Sequence, residues 1–434
     1  MKKLFTAILL FTVATSTIMA VNPLRSQSLD SLVSDHKIIF FGDENTTPQQ
    51  DSIRRLIYNF YYDQFRHFQD PSAPYFLFMS RDANLAMGVG GVVRMRAYFD
   101  PGNSMPNPGF SPYFIPMHST PLNRNHFGTT PAGTALFFRM IGQNKHIGTY
   151  QLYIEAKFNG YGTRDFKLSK SYAVVGDWTI GYAPSTFSDG SAVPPTVDAN
   201  GPTMKMDNTA VLIRYMHNFR KGFSIAASVE TPDMTLQTTD GVTASRATTV
   251  PNFAALVQYS WAHDQHVRLS AIARFLPYRN LINNTNHTPV GYGLQLSTVF
   301  NPTPALTIYG TINGGKSYSN YGGDFMLGEY DLVENPDTPG KLDRVPGWGY
   351  FIGIGYNFST RLFATATFGE GRYLPSHGTP GSNYKYGLYG AANLFYDLTP
   401  RIRFGAEFNF GKRRNFNGEQ NYARRIGAMC QFSF

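Results

Sequence analysis

Arginine side chains recur at alternate positions in several short segments of the sequence, and apolar residues fill the positions between them. Arg94 and Arg96, for example, alternate with Val93 and Met95. Because a β-strand directs successive side chains to opposite faces, the arginines of one segment share a face. A planar guanidinium binds carboxylates and phosphates through two parallel hydrogen bonds. The spacing therefore predicts an anion-attracting face opposite an apolar one.

The same alternation places further basic side chains on the polar face. A guanidinium at the middle of a bilayer costs about 2–4 kcal/mol, so in a membrane barrel these groups should face a water-filled lumen. The predicted lumen cations are Arg94, Arg96, Arg139, Arg214, Arg268, Arg274, Arg403, Arg425, Lys157 and Lys167. Two roles remain open for them. They attract anions into a pore, which we favour, or they pair with Glu155, Glu407 or Asp207 and brace the wall.

The elements that carry these side chains alternate at period two from Leu85 onward. The pattern predicts about sixteen strands, an even number that is typical of outer-membrane barrels. The predicted strands are 85–99, 134–142, 147–158, 165–175, 177–183, 208–218, 222–231, 252–261, 265–276, 290–300, 304–313, 347–358, 360–369, 384–397, 400–411 and 420–434. Short turns alternate with long joins, and all short turns fall on the periplasmic side if the N-terminus does. We therefore predict an all-β, transmembrane antiparallel β-barrel over residues 83–434.

The last predicted strand ends on an aromatic residue, Phe434, with no polar tail. In an outer-membrane barrel the last strand must pair with the first, so an apolar end at the membrane interface is expected. We expect Phe434 to be recognised by the barrel assembly machinery. The alternative is the closing strand of a soluble β-sandwich, where a bare apolar edge would invite aggregation.

The N-terminal part of the chain has a different character. Residues 1–20 have the charged start, short apolar run and small-residue end of a signal peptide. Residues 21–82 are predicted to be a periplasmic segment with one amphipathic helix of about five turns over 48–69, ended by Pro71. Its apolar stripe includes Phe65 and Phe68. The stripe packs on the barrel, forms an oligomer interface or binds a partner.

Composition narrows the class further. Aromatic residues are 15% and charged residues are 15% of the chain, which suits one lipid face and one wet face. A net charge of +9 would suggest nucleic acid or an anionic surface in a soluble protein, but the export signal argues against nucleic acid. The one cysteine, Cys430, excludes an internal disulfide framework. The ten histidines have no metal-binding spacing, so we expect no cofactor and no enzyme activity.

The join at 184–207 is long, and Pro194 and Pro195 stiffen it. Such a loop can fold into a barrel and narrow it, although composition alone slightly favours an ordinary surface loop. The residues predicted to form this constriction are Ser185, Thr186, Asp189, Asp198, Gly201 and Pro202.

Several segments resemble the DcaP-like family of outer-membrane porins. They are Leu85–Tyr98, Thr134–Met140, Tyr150–Phe158 and Phe166–Pro202, including Phe-Lys-Leu-Ser-Lys-Ser-Tyr at 166–172 and Pro-Thr-Val-Asp-Ala-Asn-Gly-Pro at 195–202. The resemblance implies a trimer of sixteen-stranded barrels with a helical N-terminal extension in the outer membrane of a Gram-negative bacterium. It also implies passage of small, mainly anionic solutes such as dicarboxylates. The family usually has Arg-His where this chain has Ser169-Lys170.

Three functional hypotheses follow. The first is a passive porin in outer-membrane lipid, without cofactor or energy coupling. The second is an adhesin or assembly scaffold that uses the barrel only as an anchor. The third is a membrane-embedded hydrolase, which ranks below the others because nothing pairs His287 or His377 with a nucleophile.

Overall fold

The computed structural model describes residues 36–47, 49–61, 63–71, 73–158, 165–236, 238–262, 264–323, 327, 331–374 and 379–434. The predicted signal peptide lies outside these residues. The α-helix α1 spans Gln50–Tyr61. The strands are β1 (Lys37–Phe41), β2 (Phe76–Ser80), β3 (Leu85–Asn103), β4 (Arg124–Thr130), β5 (Ala135–Asn144), β6 (Gly148–Phe158), β7 (Phe166–Val175), β8 (Trp178–Pro184), β9 (Thr209–Asn218), β10 (Phe223–Glu230), β11 (Thr243–Ser245), β12 (Asn252–Ala262), β13 (Gln265–Phe275), β14 (Tyr278–Asn280), β15 (Thr285–His287), β16 (Val290–Thr303), β17 (Leu306–Lys316), β18 (Leu332–Glu334), β19 (Leu342–Arg344), β20 (Pro346–Asn357), β21 (Leu362–Tyr373), β22 (Tyr384–Thr399), β23 (Ile402–Asn415) and β24 (Gln420–Ser433). Short 3-10 turns lie at Pro112–Phe114, Pro121–Asn123, Gly190–Ala192, Arg220–Gly222 and Ser319–Tyr321.

Sixteen antiparallel strands close into a barrel, and the predicted fold class and strand number are confirmed. The barrel consists of β3, β5–β10, β12, β13, β16, β17 and β20–β24, each paired with the next. It closes where β24 pairs with β3, and Phe434 extends this pairing through two backbone hydrogen bonds with Gly91. The apolar chain end is therefore part of the seam.

The barrel wall has one apolar face and one polar face. On β13, Val267 and Leu269 are 38% and 53% exposed on the outside, whereas Arg268 between them is 0% exposed on the inside. The same alternation runs around the barrel, so large apolar side chains form a continuous outer band. Such a band requires lipid, because in water it would be an aggregation surface. Within the described residues, no helix is long and apolar enough to cross a membrane.

The N-terminal segment differs from its prediction. Helix α1 has 12 residues, so the expectation of five turns is wrong. Its apolar stripe of Ile53, Leu56, Ile57 and Phe60 is buried against β2, β3 and β5, which means that it packs on its own barrel. The short strands β1 and β2 were not predicted; β2 pairs with β3, and β1 lies parallel to β2. They extend the sheet beside the seam.

Candidate functional site in the barrel lumen

A short segment that follows helix α1 lies inside the barrel. We call residues 63–71 the lumen strap. Helix α1 ends on the inner wall, where the Arg139 guanidinium donates to the Asn59 carbonyl at 3.1 Å. A cation at this helix end is favourable, because the last carbonyls of a helix have no partners within it. The chain then turns into the lumen instead of continuing the helix, which explains why the predicted helix is too long.

The lumen strap contacts the wall on several sides. At one end, the Phe65 ring lies 3.8 Å under the Arg214 guanidinium. In its middle, the Phe68 ring packs edge-on against Phe395 with centroids 5.5 Å apart. At its other end, the Asp70 carboxylate accepts from the Nζ atoms of Lys157 and Lys170, each at 2.6 Å. The lumen strap thus starts at the wall around β9, reaches across the lumen to β22 on the far side, and returns to the wall around β6 and β7.

The loop between β8 and β9 also lies inside the barrel. Near its start, the Asp189 carboxylate accepts from His266 Nε2 at 2.9 Å and from Ser297 Oγ at 2.6 Å. Further along, Asp198 N donates to Glu407 Oε2 at 2.6 Å on another part of the wall. The six predicted residues of this loop are all buried. The contacts of Asp189 and Asp198 hold the loop against the inner wall, so that it occupies part of the cross-section.

The structure directs all ten predicted lumen cations inward, but it buries seven of them: Arg94, Arg96, Arg139, Arg214, Arg268, Arg274 and Arg425. Most of these guanidiniums hold the loop or the lumen strap by backbone carbonyls. Arg96, for example, donates to the Val197 carbonyl at 2.6 Å and to Gln69 Oε1 at 2.5 Å. Arg274 and Arg425 instead form ion pairs, each at 2.6 Å, with Asp331 and Asp100.

The other three predicted cations keep some exposure. The side chains of Lys157, Arg403 and Lys167 are 25%, 25% and 63% exposed. The carboxylates expected to brace the arginines have other partners. Glu155 pairs with Lys157 at 3.0 Å, Glu407 accepts from a loop amide, and Asp207 pairs with Lys205 at 2.7 Å.

Two cavities flank the lumen strap, and His67 borders both. The cavity toward the long loops, about 400 Å³, we call the upper cavity. It is lined by five cations, Arg94, Lys157, Lys167, Lys170 and Lys205, against the two carboxylates of Asp70 and Asp207. The cavity toward the short turns, about 470 Å³, we call the lower cavity, and its charges are mixed. Of these two cavities, the upper one therefore has a clear excess of positive charge.

Two of these upper-cavity lysines, Lys170 and Lys205, were not among the predicted lumen cations. The pairing between β6 and β7 shifts at Ser169, which is an extra residue in β7. This bulge lets both Lys167 and Lys170 face the lumen, although strict alternation would put them on opposite sides. Lys205 lies in the loop, where period two does not apply.

Burial and charge set the ionisation of the lumen strap. Burial, followed by the positive charge of Lys205, lowers the pKa of His67 to about 3. The His67 Nδ1 accepts from Gln69 N at 3.1 Å, as the neutral ring requires. Burial opposes ionisation of Asp70, but Lys157 and Lys170 hold its pKa well below its usual value. The docked lumen strap thus carries one charged carboxylate, which holds it to the wall, and one neutral imidazole.

Comparison with solved structures agrees with this architecture. The outer-membrane channel DcaP of Acinetobacter baumannii superposes with a TM-score of 0.70 at 16% identity, over 81% of this chain and 98% of that one. The barrel has the fold of an outer-membrane porin. An anion-selective porin from Comamonas acidovorans gives a TM-score of 0.57 at 10% identity, covering 81% of this chain and 100% of that one. The trimer form of OmpT of Vibrio cholerae gives 0.51 at 10% identity, covering 81% and 99%.

No protein-family model matches the chain. No curated protein matches it in sequence. The likeness to known porins is therefore a likeness of fold.

Proposed function

We propose that this protein is a passive outer-membrane porin that favours small anionic solutes, dicarboxylates among them. The observation that carries the proposal is the upper cavity, where five cations face two carboxylates. A wall of one charge sign concentrates counter-ions, and a pore lined by lysine and arginine favours anions. Support also comes from the fold of the anion-selective porin from Comamonas acidovorans.

The loop and the lumen strap define the narrow part of the proposed pathway. Lys167 lines the upper cavity and, with its side chain 63% exposed, is the most exposed of the ten predicted lumen cations, so it is accessible to an entering anion. Lys157 and Lys170 are held by Asp70, so they present a partly neutralised site further in. Weak, successive sites of this kind let a solute enter and leave again.

We also propose that the working unit is a trimer. The sequence resemblance implies this state, and the trimer form of OmpT of Vibrio cholerae, an outer membrane protein of similar fold, supports it. Insertion of the barrel would proceed through the assembly machinery that we expect to recognise Phe434.

Liposome swelling tests the solute preference. Proteoliposomes that contain the protein should swell faster in succinate than in an organic dication salt of similar size. Equal swelling rates would contradict the anion preference but leave the porin proposal standing. The absence of swelling in every solute, including small neutral sugars, would contradict the porin proposal itself.

The lumen strap favours one second candidate, an anchor whose barrel stays closed. It crosses the lumen and separates the two cavities. In that case removal of residues 63–71 would open a barrel that is otherwise silent in a bilayer. A porin would instead conduct with the lumen strap in place.

A further inference from the structure

A cluster of basic side chains lies on the outside of the barrel, at the end that carries the long loops. Arg372, Lys385, Lys412 and Arg414, together with Tyr386, line a surface cavity of about 250 Å³. We call these five residues the outer basic cluster. The lumen cations described above belong to the opposite face of the wall. The outer basic cluster is therefore separate from the proposed pathway.

Strand pairing fixes the outward direction of the cluster. Arg372 is paired with Tyr386, and Tyr386 is paired in turn with Arg414 on the next strand. Directly paired residues point to the same side of a sheet. Lys412 lies two positions before Arg414, and its partner on β24 is the exposed Tyr422. The row therefore spans β21, β22 and β23 on the outer face.

The cluster begins where the apolar outer band ends. Below it on the same three strands, Phe368, Leu394 and Phe408 are 41%, 48% and 47% exposed to lipid. Two of the cations make cation–π contacts: the Arg372 guanidinium lies 5.1 Å from the centroid of the Tyr386 ring, and Lys412 Nζ lies 5.3 Å from the centroid of the Tyr422 ring. Aromatic girdles mark the boundary between hydrocarbon and headgroups in such barrels. The four cations thus stand at headgroup level.

The cluster has an excess of positive charge. Across the part of the chain that the structure describes, no carboxylate forms an ion pair with any of its four cations. The acidic group nearest in the strand pattern is Glu370, which lies in the same cross-strand row as Lys412, and its carboxylate accepts from the Tyr386 hydroxyl at 2.7 Å. Like charges gathered on one sheet face repel each other. An external anion would remove this repulsion.

We propose that the outer basic cluster binds the phosphate groups of an anionic lipid headgroup in the outer leaflet. Arginine and lysine are the usual ligands of phosphate, and the three-strand row presents them side by side. A free phosphate ion offers the same chemistry. The lipid is favoured because its acyl chains would pack on the apolar band directly below the cations. A soluble anion would make no contact with that band.

The test uses the purified full-length protein after delipidation, with lipopolysaccharide as the probe and native mass spectrometry as the readout. The variant carries Arg372→Gln, Lys412→Gln and Arg414→Gln. At about 1 kcal/mol for each basic residue near a charged surface, binding should weaken on the order of a hundredfold. The matched control carries Lys145→Gln, Arg220→Gln and Lys221→Gln in the short turns at the other end, all exposed, and should bind like the wild type.

Three results would overturn the proposal. Equal lipopolysaccharide binding by the triple variant and the control would remove the site. The site would be assigned to a soluble anion if millimolar inorganic phosphate displaced the lipid and if the triple variant lost as much affinity for dephosphorylated lipopolysaccharide as for the intact form. Loss of the oligomer without loss of lipid would make this face an interface between copies of the chain. If the triple variant does not fold, Arg414→Gln is compared with Lys412→Arg, and only the first should weaken binding.

Discussion

Replacing Asp70 with asparagine should loosen the lumen strap and increase the conductance of the pore. The Asp70 carboxylate is buried and accepts from Lys157 and Lys170 at 2.6 Å each. Asparagine has nearly the same shape, so the change removes the charge without leaving a hole. It leaves two ammonium groups without their shared counter-ion.

The size of the effect follows from the burial of this site. Breaking a buried ion pair by removing one partner costs about 3–5 kcal/mol. Lys157 is 25% exposed and keeps Glu155 at 3.0 Å, so part of the loss is recovered and the low end applies. A loss of about 3 kcal/mol shifts the docking equilibrium of the lumen strap about a hundredfold.

The assay is single-channel recording in a planar bilayer. Asp70→Asn should spend more time in a state of larger conductance, with a stronger anion preference, because two lysines lose their counter-ion beside the upper cavity. Asp51→Asn is the matched control, since Asp51 is an exposed carboxylate of helix α1. Traces of Asp70→Asn that match both the control and the wild type would refute the idea that this ion pair holds the lumen strap.

Three further predictions concern the same lumen. The pKa of His67 is lowered to about 3 in the docked lumen strap, so the released strap binds a proton more readily and docking weakens as the pH falls from about 6.5 toward 3; conductance should rise on acidification, and less so in His67→Gln. Asp189→Asn removes the carboxylate that holds the loop to His266 and Ser297, so larger sugars should enter in liposome swelling. An unchanged size limit would show that Asp189 does not hold the loop in place. Lys167→Gln should move the reversal potential toward cation preference, whereas Lys145→Gln at the short turns should leave it unchanged.

The barrel strands were predictable because their signal is local. Each wall position contacts either lipid or the interior, so apolar and polar side chains alternate along strands such as β13, where Val267 and Leu269 flank Arg268. All sixteen predicted strands correspond to observed ones, with boundaries that differ by a few residues. The inward direction of the predicted cations follows from the same period.

The surroundings of those cations could not be read from the pattern. Phe65 and Phe68 continue the apolar spacing of helix α1, and local spacing alone favours more helix. The lumen offers them partners on distant strands, Arg214 for the first and Phe395 for the second. Tertiary contacts therefore override the helical preference. Likewise, period two shows that Arg96 faces inward, but not that the Val197 carbonyl occupies its guanidinium.

The most direct test of the central claim, an anion-favouring pore through this barrel, is the reversal potential of wild-type channels under a salt gradient. We expect open steps and a potential of the sign that anion flow produces, because cations outnumber carboxylates around the upper cavity. A potential of the opposite sign would contradict that electrostatic argument while retaining a pore. A bilayer that stays silent with correctly folded protein would contradict the pore itself.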